Sequence, residues 1–397
     1  MATPQFAPAP TPDPQPSFSP AYDEPPLRWQ RKLHLAPAVG LGVRRRALLF
    51  AAFAWAPIAV WALIHGRFVD APIGEPLLRH YGVHVRCLFA IPMLILGEST
   101  MYKSALYYLP QFISSGLVDR MTRPRFEAEL RAVSRWRDWS IPWLFLFGVA
   151  VGWGIVDRGA MQTDAMSWAL DENGSLGFGG AWFLYVVRPI FVGLLLAWLW
   201  RIVLLVMLFV RIGRLPLLLV PSHPDRAGGL GFLERLPWAF APVGLALSAM
   251  LASRWAHELV YHGGTLNAFK LPAMMFVVVW SLVLLSPLMV FLPPLLRAKW
   301  AALPLYASLV GEQGRLVRRR WIDGTMEIDA PMLDPAGVGP IADAATMFSA
   351  VQSMRAVPVG KATLVTIALP ICAPMLALAA LQLPVRSLLL GLVKALV

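Results

Sequence analysis

Residues 182–210 read WFLYVVRPIFVGLLLAWLWRIVLLVMLFV, an apolar run that contains only two charged side chains, Arg188 and Arg201. A helix needs about 20 such residues to cross the ~30 Å hydrocarbon core of a bilayer. The whole chain is 57% hydrophobic and 15% charged, whereas a soluble domain carries about a quarter charged residues. The run therefore predicts an integral membrane protein, in which this long span tilts or projects into the cytoplasm.

Similar runs predict an all-α, polytopic transmembrane bundle of about seven spans, with six to eight compatible. The bundle occupies residues 47–382. Its spans lie at 47–65, 81–100, 140–157, 182–210, 237–256, 271–295 and 362–382. Residues 1–46 are expected to form a tail, disordered and Pro-rich over 1–27 and basic after that. Residues 383–397 are too short to span and predict an interfacial tail.

The distribution of Lys and Arg predicts the orientation of the bundle. With the N-terminus in the cytoplasm, the cytoplasmic segments 1–46, 98–139, 211–236 and 297–361 hold 25 of the 35 Lys and Arg residues. Cytoplasmic loops are enriched in these residues, so the N-terminus is expected inside. The net charge of +12 then favours contact with anionic lipid headgroups. No nucleic-acid recognition motif accompanies this charge, so nucleic-acid binding is not expected. The sequence leaves open whether the protein forms a homo-oligomer or binds a membrane partner.

Two cytoplasmic stretches are long enough to fold on the inner membrane face. Residues 117–139 predict a short amphipathic helix after Pro124, with Phe126, Leu130, Val133 and Trp136 on one side. Residues 303–321 predict a second helix that ends in a basic run. Both are expected to lie on the membrane surface rather than to form a catalytic domain.

The most distinctive polar segment is HPDRAGGLGFLE at residues 223–234. It combines a titratable base, a carboxylate and a cation with glycines whose backbone amides can approach an anion. It lacks the spacing of a phosphate-binding P-loop or a dinucleotide fingerprint. The alternative is a structural connector whose Asp and Arg pair with each other or with the loop backbone. The ligand or gating candidates are His223, Asp225, Arg226, Gly228, Gly229 and Gly231.

This segment belongs to a wider resemblance. Together with RRRWIDG at 318–324 and SMRAVPV at 353–359, it resembles a group of uncharacterised bacterial multi-pass inner-membrane proteins. The resemblance covers roughly the C-terminal half of the chain. It implies a bacterial inner-membrane location and a similar span count, and it assigns no functional residue.

Histidines mark the predicted outer ends of the second and fifth spans. His80 and His84 share one helix face, and His257 shares another with Glu258. Imidazole binds transition metals and haem and titrates near neutral pH. These four residues are candidates for a metal, haem or proton site if the two spans are neighbours. The alternative is that they lie at the membrane interface, which suits mixed polar and apolar side chains.

Arg188 and Arg201 are the intramembrane charge candidates, because an Arg at mid-bilayer costs roughly 2.5–3.5 kcal/mol on insertion scales. At least one of them should face the bundle interior or a wet cavity, or snorkel to the interface, which suits Arg188. The candidate counter-charges are Glu98, Asp157 and Glu258.

Three function classes follow from the sequence. The first is a permease or channel for a small solute such as an anion, which requires a wet cavity lined by Arg188 or Arg201. The second is a signalling or assembly protein, which requires a dry bundle. The third is a haem- or metal-dependent redox protein. No catalytic residue and no required cofactor emerge, and an enzyme is the less favoured class.

Overall fold

The computed structural model describes residues 18–37, 40–70, 75–156, 168–170, 175–261, 263–324 and 338–382. Over these residues the chain forms helices and no strand, so the predicted all-α class is confirmed. The helices are α1 (Pro25–Lys32), α2 (Val43–Ile64), α3 (Tyr81–Ser114), α4 (Arg123–Asp138), α5 (Ser140–Val156), α6 (Phe178–Gly213), α7 (Gly231–Tyr261), α8 (Leu266–Met289), α9 (Leu292–Val317), α10 (Val338–Gln352) and α11 (Lys361–Gln382).

Six of these helices are long and apolar enough to cross a membrane, namely α2, α3, α6, α7, α8 and α11. Each of them coincides with a predicted span. A seventh predicted span corresponds to α5, whose apolar part, Ser140–Gly152, is shorter. The chain is therefore a helical membrane protein. The expected interfacial tail at 383–397 lies outside the described residues.

Two of the spanning helices are longer than predicted and contain a wide π-helical turn. The turn is Val85–Ala90 in α3 and Phe183–Val187 in α6. A proline follows each turn closely, Pro92 in α3 and Pro189 in α6. Proline has no N–H to bond the carbonyl four residues before it, and in both helices that carbonyl belongs to the π turn. The prolines thus explain why the regular hydrogen-bond pattern gives way there.

The helices run between two faces of the bundle. Near the end of α2, the ring of Trp61 packs against Gly177 and Gly179 at the start of α6. At the other end, Arg46 of α2 and Arg201 of α6 bind the same side chain. We call the face that carries 18–46, 115–138, 214–235, 292–324 and 353–361 the basic face. The other, which carries residues 75–81 and 257–261, is the opposite face.

An aromatic core holds the basic face together around Phe112, which is fully buried. Its ring centroid lies 5.9 Å from that of Phe126 in α4 and 6.4 Å from that of Phe209 in α6. It lies 5.1 Å from Phe232 and 6.2 Å from Phe291. One packed centre is therefore shared by the ends of α3, α6 and α8, by the amphipathic helix α4 and by the segment at 223–234, which we call the glycine-rich loop.

The amphipathic helix predicted within 117–139 is present as α4. Phe126, Leu130 and Val133 are buried, as the pattern predicts, whereas Trp136 is 42% exposed. Residues 303–321, also predicted helical, fall within α9 and the π-helical turn that follows it.

The segment ahead of α2 differs from the expected disordered tail over residues 18–27. Phe18, Ala21 and Glu24 are buried, and the guanidinium of Arg137 donates to the carbonyl oxygen of Ser19. Pro25 begins α1, where its missing N–H has no helical partner to lose. Composition alone could not anticipate this order, because it comes from contacts with residues more than 100 positions away.

Candidate functional site

Four charged side chains form a buried network where α1, α2, α3 and α6 meet. Nη2 of Arg201 donates to Oε1 of Glu24 at 2.6 Å and to Oε1 of Glu98 at 2.9 Å. The other carboxylate oxygen of Glu98 accepts from Arg46, whose Nε donates to Gln30. Each of the four charged side chains is at most 3% exposed. The network therefore joins the segment before α1 to three spanning helices.

This network is charge-balanced, with two guanidinium groups and two carboxylates. Desolvating each ion costs several kcal/mol, which only well-placed partners offset. The guanidinium of Arg201 also lies over the ring of Trp198, 4.9 Å from its centroid, a favourable cation–π contact. The sequence named Glu98 as a candidate partner and missed Glu24, which lies in a Pro-rich segment with no hydropathy signal.

Arg188, the second intramembrane candidate, lies apart from this network. It precedes Arg201 by almost four helical turns, about 20 Å along the axis. It is half-buried where the π turn of α6 ends, close enough to Arg86 of α3 for the two charges to repel. Arg86 in turn lies over the rings of Phe183 and Phe191, at 5.0 and 5.4 Å. The two candidate arginines therefore occupy separate environments.

In the glycine-rich loop, the carboxylate of Asp225 accepts three backbone N–H groups. Oδ1 accepts from Ala227 at 2.8 Å and Gly229 at 3.3 Å, and Oδ2 accepts from Gly231 at 2.8 Å. A Cβ at Gly231 would lie 2.7 Å from that of Asp225, so the close approach requires glycine. Gly228 and Gly229 have positive φ angles of 64° and 96°, which glycine adopts without strain. The loop amides that could bind an anion thus bind the protein's own carboxylate.

The electrostatics of Asp225 follow from these contacts. Burial alone would raise its pKa, but the three backbone donors and nearby His223 hold the pKa below its usual 3.8. Nδ1 of His223 lies 2.9 Å from Oδ1 of the carboxylate. Arg226 has an exposed side chain and a positive φ of 56°. The geometry thus resembles the structural alternative, in which the carboxylate pairs with the loop backbone.

Arg355 connects this loop to the segment before α11. Its guanidinium donates to the carboxylate of Glu234, to the carbonyl of Val359 at 2.9 Å and to the carbonyl of Asp225 at 3.2 Å. The hydroxyl of Thr363 donates to the carbonyl of Glu234 at 2.8 Å. The sequence assigned no role to Arg355, Glu234 or Thr363. The available signal was that the motifs at 223–234 and 353–359 occur together.

On the opposite face, His80 and His257 come together because α3 and α7 are neighbours. Their rings stack with centroids 5.1 Å apart. The structure adds Glu75, whose Oε2 lies 3.4 Å from Nε2 of His257 and 3.8 Å from Nε2 of His80. Burial and the neighbouring imidazoles lower the pKa of His80 to about 4. His80 is therefore neutral at physiological pH. Glu75 escaped the sequence reasoning because it belongs to no periodic helix face.

His84 and Glu258 do not join this cluster, in contrast to the expectation from their helix faces. Nδ1 of His84 accepts from the indole of Trp55 at 3.0 Å, and its Nε2 lies 3.0 Å from the carbonyl oxygen of Leu77. Both ring nitrogens are thereby used within the bundle. Glu258 has an exposed side chain. A shared face on one helix does not fix which side chains meet a second helix.

Two cavities are lined by none of these charged side chains. An open groove of about 490 Å³ runs along α2 and the start of α6, and a second cavity measures about 20 Å³. Neither is lined by Arg188 or Arg201. The groove is lined by Ala52, Phe53, Ala56, Pro57, Val60, Trp61, Ile64 and Phe178. Its lining is apolar, so it suits acyl chains or another apolar surface rather than an ion.

Comparison with known proteins adds no relative to this description. No family profile, no curated protein and no solved structure matches the chain.

Proposed function

We propose that this chain is a signalling or assembly protein of a bacterial inner membrane, with seven spans and a cytoplasmic N-terminus, and that it conducts no solute. The observation that carries the proposal is the pairing of Arg201 with Glu24 and Glu98 in a buried, charge-balanced network. A permease that used Arg201 to bind an anion would need this guanidinium to be uncompensated and to face water. Here the cation that the sequence offered for that role joins the helices to one another.

The contacts at the two faces support seven crossings. α3 ends at the basic face, where Phe112 lies, and α6 starts at the opposite face, beside Trp61. Glu129 of α4 binds Arg211 at the far end of α6, with atoms 2.8 Å apart, so α4 stays at the basic face. In this proposal the chain therefore crosses between α4 and α6, where α5 lies. Its 17 residues span about 25 Å, close to the hydrocarbon thickness.

The basic face is the cytoplasmic one in this proposal. It carries most of the Lys and Arg residues, as cytoplasmic segments do. On α9 and the turn after it, Trp300 and Trp321 are largely exposed. In the sequence, Lys299 precedes the first and a run of three arginines, 318–320, precedes the second. Exposed Trp beside cationic side chains suits an anionic headgroup layer. The packed core around Phe112 gives this face a fixed shape on which a partner can assemble.

Cysteine accessibility tests both the dry interior and the orientation. In a background carrying Cys87→Ala and Cys372→Ala, single cysteines replace buried Leu94 and Leu205 beside the network. Membrane-impermeant maleimide should leave both unlabelled in native membranes, from either side. Arg226→Cys should be labelled in inverted vesicles only, and Ile64→Cys in intact spheroplasts only.

The permease alternative has its own readout in reconstituted vesicles. Chloride or phosphate flux that depends on the protein and disappears in Arg201→Ala, together with labelling at Leu205→Cys, would establish a wet pathway and refute the proposal. Labelling of Arg226→Cys from the outside would instead overturn the orientation alone.

A further inference from the structure

The three side chains that converge on the opposite face have the chemistry of a metal ligand set. Glu75 and His80 lie just ahead of α3, and His257 lies one turn before the end of α7. One ligand atom from each lies within 4.8 Å of the other two. Zinc uses two imidazoles and one carboxylate as its ligand set in sites that have three protein ligands and one open position.

A hydrogen bond at Nδ1 of His257 determines which ring nitrogen faces Glu75. Nδ1 lies 3.2 Å from the carbonyl oxygen of Arg79. A carbonyl accepts and never donates, so Nδ1 carries a proton. Nε2 then faces Oε2 of Glu75, 3.4 Å away. A proton or a metal ion can be held between these two atoms. A backbone carbonyl that orients a histidine in this way is common beside metal ligands.

The two distances from the carboxylate oxygen to the imidazole nitrogens are close to those of a filled site. Tetrahedral zinc with ligands at about 2.0–2.1 Å places its ligand atoms about 3.3–3.4 Å apart. The carboxylate oxygen is 3.4 Å from His257 and 3.8 Å from His80. A small side-chain rotation, chiefly of His80, completes the set.

We propose that Glu75, His80 and His257 bind one divalent transition-metal ion of the zinc class on the face opposite the basic one, with a fourth position open to water or an external ligand. The paired hydroxyls of Tyr81 and Tyr261 are 3.2 Å apart, and the ring of His257 is 5.1 Å from that of Tyr261 and 6.3 Å from that of Tyr81. The site adds a binding activity to a bundle proposed to conduct nothing.

The test uses the full chain in detergent, purified through a tag without histidines and titrated with Zn²⁺ by calorimetry at pH 7.5. Wild type should bind one ion per chain. Loss of a second-shell partner alone costs about 10–100-fold in affinity. Glu75→Gln, His80→Ala and His257→Ala should therefore each weaken binding at least as much. The matched control is His65→Ala, an exposed histidine on the same face, which should bind as wild type.

Two outcomes would overturn the site: wild type that binds no Zn²⁺, and binding that survives in the three variants. A second measurement, made on the wild-type protein, does not depend on whether the variants fold. Zn²⁺ should protect His80 and His257, but not His65, from carbethoxylation, as read by peptide mass spectrometry. Equal modification with and without Zn²⁺ counts against the proposal, because it shows that Zn²⁺ does not occupy the two imidazole rings.

Discussion

Two polar clusters inside the same apolar bundle follow opposite rules. In the network at the basic face, every carboxylate meets a guanidinium, and the charges sum to zero. In the cluster on the opposite face, a carboxylate oxygen and two imidazole nitrogens converge with no cationic side chain among the three. The first arrangement pairs each carboxylate with a cation of the protein, whereas the second has the donor set of the proposed metal site. Burial of charge alone therefore does not identify a binding site; the balance of donors and acceptors does.

The largest expected effect comes from breaking the balanced network. Arg201→Ala leaves Glu24 and Glu98 buried without their shared partner, and breaking a buried pair typically costs about 3–5 kcal/mol. Chemical denaturation in detergent should detect this loss as a lower free energy of unfolding. Arg226→Ala, which removes an exposed arginine, serves as the control. A loss below about 1 kcal/mol would mean that the network contributes little to stability.

A smaller effect is expected where the network meets the segment before α1. Glu24→Gln keeps the shape of the side chain but removes the charge that binds Arg201. A hydrogen bond to a charged group contributes about 1.5–3 kcal/mol, so the segment should detach more often. Limited proteolysis after residue 28 should speed up accordingly. His34→Asn, which alters an exposed side chain just after α1, should leave the cleavage rate unchanged, and an equal rate in both variants would contradict the docking role.

The loop at Asp225 offers an intermediate case, because its acceptors are filled by the chain's own amides. Asp225→Ala leaves three backbone N–H groups without their acceptor and should destabilise the protein by roughly 1–3 kcal/mol. Amide hydrogen exchange at Ala227 and Gly231 should accelerate while the opposite face stays protected. If phosphate instead protects this loop in the wild type, the ligand role expected from the sequence regains support.

Acidification should destabilise the two faces at different pH values, and this is the smallest of the expected effects. In the presence of a chelator, His80 has a pKa of about 4 in the folded protein and 6.5 in its unperturbed state. The unfolded chain therefore binds its proton first, and stability present above pH 6.5 is lost as the pH falls toward 4. Asp225 has a pKa held below 3.8, so its contribution persists until the pH falls further. Hydrogen exchange should accelerate around His80 first, and His80→Asn should abolish that phase.

The sequence predicted what depends on local pattern. Apolar runs located the spanning helices, and the pattern of Phe126, Leu130 and Val133 predicted α4. Arg201 was expected to need a partner, because bilayer solvation is costly at any position in the run. Helix periodicity placed His80 near His257 once the second and fifth spans were neighbours. Each of these inferences depends only on the apolar environment of the bilayer or on the periodicity of a single helix.

The rest depended on contacts between distant segments. Glu24 lies 177 residues from its partner in a stretch whose composition suggests disorder. Glu75 lies in a connection without periodicity, so no helix face includes it. His84 shares a face with His80, yet it bonds Trp55 and Leu77 instead, because the rotation of α3 against α2 decides its neighbours. Pairing of this kind is a property of the assembled bundle.

The separation of 177 positions between Glu24 and Arg201 also bears on how the protein is made. Glu24 leaves the ribosome well before α6 exists, so its carboxylate has no partner in α6 while the helices between them insert. Arg201 must enter the membrane with Glu98 as its first counter-charge, and Glu24 docks only afterwards. The earliest of these residues to be synthesised is thus the last to reach its partner, which makes the segment around Glu24 a final latch on the finished bundle.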